Sequence, residues 1–175
     1  MSKATETSEL VTLPGDKTTP SPTSEREHIR AIAGSSVGPG SMEWQELLAH
    51  PRHAARLLQI RSIPDGPGVY AWFREGDCVY VGKASNLRMR LRAHLATSLD
   101  LSRSTLRSWV AVRELGLPRE YTRRRPTAMT AVQVAVVNDW LSRCELTWVP
   151  TRSKDEADFL EASLLGSWRP PINVA

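Results

Sequence analysis

The sequence predicts a small mixed α/β domain of the α+β kind, with a three-stranded, mostly antiparallel sheet flanked by helices. Three observations carry this. Val69-Tyr70-Ala71-Trp72-Phe73 and Cys78-Val79-Tyr80-Val81 are two runs rich in β-branched and aromatic residues, joined by the turn-forming Glu75-Gly76-Asp77, so they read as a hairpin. A third such run, residues 144–149, follows a strongly apolar helical stretch at 127–143. Helical patterns before, between and after these runs give the order hairpin, helices, strand, helix, which closes around a sheet in few ways.

The elements follow in order. Residues 1–40 are rich in Ser, Thr, Pro and Gly with few large apolar side chains, too little to offset the entropy of ordering, so a disordered tail is expected. From 41 to 65 two short helices are expected: one through residues 43–48 capped by Ser41, and a second near 54–60. Gly66-Pro67-Gly68 then punctuates the chain before the hairpin. A helix over 86–96 takes Asn86 as N-cap and Leu87, Leu91 and Leu95 as its buried stripe. A further helix near 103–115 leads into a basic loop, residues 119–125. The last helix runs from about Ser153 to Trp168 and is stopped by Pro170-Pro171.

Composition narrows the function. At 41% hydrophobic and 24% charged residues the chain is an ordinary globular protein, and 175 residues suit one domain plus a tail. It has no run of about 18 uncharged apolar residues, and Met1 to Leu10 lack the basic-then-apolar order of a signal peptide. A cytoplasmic protein without membrane attachment is therefore expected. Cys78 and Cys144 form neither a CxxC pair nor a zinc spacing; two reduced core thiols are the expectation, with a disulfide the other reading. The net charge of +4 is uneven: residues 74–125 hold twelve Lys and Arg against five Asp and Glu, or +7. A basic middle points to a polyanion, of which nucleic acid is the commonest; a merely solvated basic face is the other reading.

Several residues sit oddly for a plain core. Arg90 and His94 lie three and seven residues after Leu87 and share the leucine stripe's face or its edge, whereas Arg88 and Arg92 point away. An arginine there can snorkel to water. On the last helix Ala157, Leu160, Leu164, Leu165 and Trp168 form one face, and Glu161 falls inside it at about 100° per residue. An inward carboxylate needs a cation, a metal or several donors, so both an internal salt bridge, for instance with Arg90, and a metal ligand stay open. Tyr70 and Tyr80 alone read as amphipathic strand residues, and Asn173 as a turn former.

Together these residues resemble a known family. Gly68-Val69-Tyr70, then Tyr80-Val81-Gly82-Lys83-Ala84, then Asn86-Leu87-Arg88-Met89-Arg90-Leu91 resembles the core of the GIY-YIG nuclease superfamily, which includes the N-terminal nuclease domain of the bacterial excision-repair excinuclease. Leu160-Glu161 through Pro170-Pro171-Ile172-Asn173 is similar to the family's terminal helix and its exit. The resemblance covers roughly residues 66–175. GVY and YVG replace GIY and YIG, a swap between β-branched residues, and the stretch at about 97–143 is longer than a minimal domain needs, so it is read as a helical, basic insertion.

The resemblance implies a DNA endonuclease that hydrolyses phosphodiester bonds. It implies one divalent ion, Mg2+ or Mn2+, at Glu161, where a hard carboxylate oxygen and waters suit either. Tyr70 is then the expected general base; its ordinary pKa of about 10 requires positive charge nearby, for which Lys83 and the hydrated ion are the sources. Arg90 is expected to neutralise the phosphate, Tyr80 to position water or phosphate, Asn173 to orient the site, and His94 to help with proton transfer or phosphate contact. Arg88, Arg92, Arg103, Arg107, Arg123, Arg124 and Arg125 are expected phosphate contacts rather than base readers. No sequence-reading helix is evident, so the expected partner is double-stranded or branched DNA recognised by shape, with a protein partner or an oligomer as the source of further specificity. The alternatives are a binder of the same fold without the chemistry and a non-catalytic interaction domain; the full set of Tyr70, Tyr80, Arg90, Glu161 and Asn173 argues against both.

Overall fold

The computed structural model describes residues 40–173; the expected tail lies outside the described residues except for Gly40. Helix α1 (Met42–Ala49) starts on Ser41, whose side chain accepts from the Trp44 backbone N–H. Strand β1 (His53–Ala54) follows, then two single 3-10 turns at Ala55–Leu57 and Ile60–Ser62. The helix expected near 54–60 is corrected to these elements. His53 pairs with Leu146 across the sheet, its ring stacks on Trp148 at 4.5 Å, and the Ala55 N–H donates to the Cys144 carbonyl. Long-range pairing at a strand edge thus outcompetes a local helical pattern.

The hairpin of β2 (Gly68–Arg74) and β3 (Asp77–Ala84) turns on two residues, Glu75 and Gly76, both with positive φ, the geometry that matches strand twist. Helix α2 (Leu87–Leu95) is capped by Asn86. Within the expected insertion lie α3 (Thr105–Leu115), capped by Ser104, the single turn α4 (Arg119–Thr122), and α5 (Ala131–Ser142). The last begins later than the apolar pattern suggests because Thr130 and Gln133 close a reciprocal capping box. Strand β4 (Glu145–Pro150) and helix α6 (Lys154–Ser167), capped by Ser153, complete the fold with a 3-10 turn at Pro171–Asn173.

The sheet order is β1-β4-β2-β3, every pairing antiparallel. The three expected strands are present, and the two-residue β1 adds a fourth. Side chains alternate between two cores. Tyr70, Trp72, Tyr80 and Leu146 face α2, α3 and α5; Val69, Ala71, Phe73 and Val81 face α1 and α6. On the second face the Trp44 indole N–H donates to the Leu164 carbonyl at 2.9 Å, tying α1 to α6. Cys78 and Cys144 are buried free thiols. No helix among the described residues is long and apolar enough to cross a membrane.

This topology leaves β3 as an edge strand. Its outward N–H and C=O groups need partners, and the residues that supply them come from the end of the chain.

Candidate active site

The carboxamide of Asn173 meets the edge of β3 at Val81. Its Oδ1 accepts from the Val81 N–H and its Nδ2 donates to the Val81 carbonyl, both at 2.8 Å. Two residues on, the Lys83 N–H donates to Glu161 Oε1 at 3.1 Å. The Lys83 ammonium also lies 3.0 Å from Glu161 Oε2 and 3.4 Å from Asp158. Glu161 is thus inward-facing, as its place in the α6 stripe requires, with a side chain 19% exposed. Its ion-pair partner is Lys83 rather than Arg90. Asp158, one turn earlier on α6, joins the same cluster; its i, i+3 spacing from Glu161 was the available signal.

The other face of the hairpin carries the tyrosines. Tyr70 is paired with Gly82 across β2 and β3, and a Cβ on Gly82 would lie 2.6 Å from the Tyr70 hydroxyl oxygen. Glycine at this position is therefore what lets the phenol cross the neighbouring strand. Gly68 has a matching reason: a Cβ there would collide with the Val149 carbonyl and with Leu87, so β4 and α2 could not close on the start of β2.

The Tyr70 hydroxyl reaches His94 Nε2 at 2.7 Å, and His94 Nδ1 reaches the Ser104 hydroxyl at 2.6 Å. All three residues are about 1% exposed. Burial holds the Tyr70 pKa well above its ordinary value, with the Tyr80 phenol adding to the shift and the Arg90 charge opposing it. Burial also raises Tyr80, while a side-chain hydrogen bond from Tyr70 eases its ionisation. Burial, helped by the charges of Arg90 and Arg107, pushes the His94 pKa down to about 3, so the imidazole is neutral near pH 7. Lys83, the expected source of charge for Tyr70, is instead engaged by Glu161 and Asp158, which raise its pKa. The cation that acts on both tyrosines is Arg90. Arg90 is exposed on α2 and makes no ion pair among the described residues.

The basic residues divide sharply. Arg92, Arg103, Arg123, Arg124 and Arg125 are exposed, although the Arg125 Nε donates to Ser102. Arg88 donates to the Ile63 carbonyl and pairs with Asp65 at 3.1 Å, so part of its guanidinium secures the 63–65 loop to α2. The expectation for Arg107 is corrected. It is 1% exposed, and its Nη2 donates to the Ser98 carbonyl and to Asn138 Oδ1. Burial lowers its pKa to about 10. It sits on the buried face of α3 beside Leu106 and Val110, so it braces the helices and is closed to a phosphate. A groove of about 810 Å3 lined by Gln59, Ile60, Arg61, Arg88 and Arg92 adds Arg61 to the exposed basic surface, a residue that lies outside the basic stretch at 74–125.

A family model described as the GIY-YIG catalytic domain matches residues 68–175, well over half of the chain. The UvrABC system protein C of Acidobacterium capsulatum is 42% identical over 57 residues, 32% of this chain and 8% of that protein. Its counterpart in Psychrobacter cryohalolentis is 30% identical over 122 residues, 69% of this chain and 15% of that protein. The chain thus spans a small fraction of the length of these relatives. Among solved structures, the GIY-YIG N-terminal endonuclease domain of UvrC from Thermotoga maritima, bound to magnesium as its catalytic divalent cation, is similar at 25% identity and a TM-score of 0.38, over 65% of this chain and 94% of that one. With the family model spanning the hairpin, α2, the Glu161 helix and the Asn173 exit, the chain belongs to the GIY-YIG catalytic domain family.

Proposed function

We propose that this protein is a metal-dependent endonuclease that hydrolyses DNA phosphodiester bonds, with Tyr70 as general base and a divalent ion, Mg2+ or Mn2+, held by Glu161. The observation that carries the reading is the gathering of Glu161 and Asn173 on the open edge of β3, with Tyr70 and Tyr80 on the same hairpin and the Arg90 charge acting on both phenols. A binder without chemistry has no use for a carboxylate there.

The donor set fits such an ion. Among the described residues no three His, Cys, Asp or Glu side chains are grouped to enclose a metal, so a closed, protein-ligated centre is not supported. Glu161 offers one partly exposed carboxylate, with Asp158 sharing its lysine. That sparse arrangement suits Mg2+ or Mn2+, which keep several waters and take substrate phosphate oxygens as further ligands. Bound at Glu161, the ion supplies positive charge to the phosphate and to the departing 3′ oxygen.

The chain's own residues do the rest. Arg90, exposed and free of a carboxylate among the described residues, pairs with phosphate oxygens through its planar fork. Tyr80 orients the attacking water by a hydrogen bond, and Tyr70 takes the proton at its hydroxyl oxygen. Lys83 holds the Glu161 carboxylate in place through its backbone N–H and its ammonium group. Asn173 keeps residues 80–82 in register by closing the strand edge. Arg92, Arg103 and Arg123–Arg125, with Arg61, supply phosphate contacts that position the DNA without reading it.

The test is cleavage of supercoiled plasmid and branched DNA with Mg2+, Mn2+ or EDTA, for the full chain and for Glu161→Ala. Cutting that needs metal and disappears in the variant is the expected result. Salt-sensitive binding without cutting by the wild type, with either metal, would instead favour the binder of the same fold.

A further inference from the structure

We infer that Ser104, the N-cap of α3, is a positioning residue that fixes the tautomer of His94, so that Nε2 carries the hydrogen and donates it to the Tyr70 hydroxyl oxygen. The inference rests on the reading of Tyr70 as the base and adds a second helix to its support.

In a site closed to water, every polar hydrogen needs an acceptor from the protein itself. Ser104 Oγ accepts the Arg107 backbone N–H at 3.1 Å as the helix cap and lies 2.6 Å from His94 Nδ1. Suppose first that Nδ1 carries the imidazole hydrogen. Ser104 Oγ then accepts two N–H groups, and its own hydrogen has no acceptor among the described residues at a position 1% exposed. Such an orphan is costly. Suppose instead that Nε2 carries it. The Ser104 hydroxyl then donates to Nδ1 while still capping α3. The Nε2–H donates to the Tyr70 oxygen across 2.7 Å, and the Tyr70 hydroxyl donates to Tyr80, the direction in which the hydrogen bond between the two phenols already runs. Every hydrogen has an acceptor.

The two tautomers have opposite chemical consequences. With a hydrogen on Nε2, Tyr70 keeps an N–H donor whether it is a phenol or a phenolate, and that bond strengthens as charge develops. With Nε2 bare, ionised Tyr70 would face a lone pair across the same 2.7 Å. His94 in the inferred state does not take the Tyr70 proton, which revises its expected part in proton transfer; it steadies the phenolate. The tautomer at one ring nitrogen is set by the bond the other makes, and the bond at Nδ1 is set by the start of α3. The insertion that carries the basic surface thereby also reaches the base.

The test is 15N NMR of the imidazole nitrogens in the uniformly labelled full chain near pH 7, with His94→Gln identifying the His94 signals. A protonated Nε2 and bare Nδ1 in the wild type are expected. Ser104→Ala should abolish that preference and lower kcat roughly 10- to 100-fold, the range typical when a partner that orients a functional histidine is lost. Ser104→Thr, which keeps both hydroxyl and cap, should restore both readouts. Ser104→Asp keeps a capping oxygen but offers Nδ1 only acceptors, so it should move the hydrogen to Nδ1 without restoring kcat. A wild type protonated on Nδ1, or a tautomer unchanged in Ser104→Ala, overturns the inference. Both readouts of the ring are independent of cutting, so a wild type that cleaves no DNA would count against the endonuclease reading alone.

Discussion

The side chain of Asn173 substitutes for a strand: its carboxamide makes both the donor and the acceptor bond that a neighbouring backbone would make to Val81. An edge strand is thereby closed by one residue, beside the point where Glu161 closes it at Lys83. Asn173→Ala removes both bonds and leaves the Val81 groups to compete for water. A loss of about 1–3 kcal/mol in urea unfolding is expected, together with a larger fall in kcat than in DNA affinity, since residues 80–82 lose their register. Unchanged kcat at reduced stability would confine Asn173 to the fold.

Gly82 and Tyr70 offer a cleaner separation of site from scaffold. A methyl group at Gly82 would sit 2.6 Å from the Tyr70 hydroxyl oxygen, so Gly82→Ala must displace the phenol from His94. Overpacking of this kind costs about 1–3 kcal/mol, while activity should fall far more than that loss of folded protein explains. Gly82→Ala combined with Tyr70→Phe should recover part of the stability, because the clashing hydroxyl is gone, and none of the activity. A double variant no more stable than Gly82→Ala would disprove the contact.

How much of this was legible in the sequence depended on whether the signal was local. Tyr70, Tyr80, Arg90, Glu161 and Asn173 stand at spacings that a hairpin, one helix turn and a helix exit define, so their association could be expected from order alone. The inward place of Glu161 followed from helical period, but its partner did not, because the choice between Lys83 and Arg90 depends on which face of β3 meets α6. Ser104 was invisible: nothing in a capping serine announces an imidazole from another helix. The strand at His53–Ala54 was hidden for the same reason, two residues being too few to show a period when their stabilisation comes from Trp148 and β4. Arg107 shows the limit of charge counting, since twelve basic residues in a stretch do not say which of them point inward.

Arg107 and Arg124 should therefore separate cleanly. Arg107→Ala strips the Ser98 carbonyl and Asn138 of their donor and opens a cavity between α3 and α5, for an expected loss of about 2–4 kcal/mol. Its effect on the salt dependence of DNA binding should be nil in the folded fraction. Arg124→Ala, at an exposed position, should change stability by less than about 0.5 kcal/mol. If Arg124 neutralises one phosphate, the slope of log affinity against log salt should fall by about 0.9. Matched unfolding curves and salt titrations of the two variants check both arms; a changed salt slope in Arg107→Ala would mean that its guanidinium leaves the interior.

The buried His94 predicts a pH dependence of stability whose sign is fixed. Its folded pKa is about 3, down from 6.5, because burial and the charges of Arg90 and Arg107 oppose protonation; Tyr70, Tyr80 and Trp72 face it from the sheet. Below pH 6.5 the unfolded chain takes up a proton that the folded chain refuses. The folded state is therefore fully favoured above about pH 6.5 and loses stability as the pH falls toward 3, by at most about 1.4 kcal/mol per unit. The lowered carboxyls of Glu43 and Asp100 start from 4.5 and 3.8, so the interval from about pH 6.5 to about 5 isolates the histidine from them. Urea unfolding at about pH 7, 6 and 5 should show the wild type losing stability faster than His94→Gln, with the curves converging toward acid. Parallel curves would mean that His94 gains its proton as readily in the folded protein as in the unfolded one, and the neutral imidazole assigned beside Tyr70 would have to be abandoned.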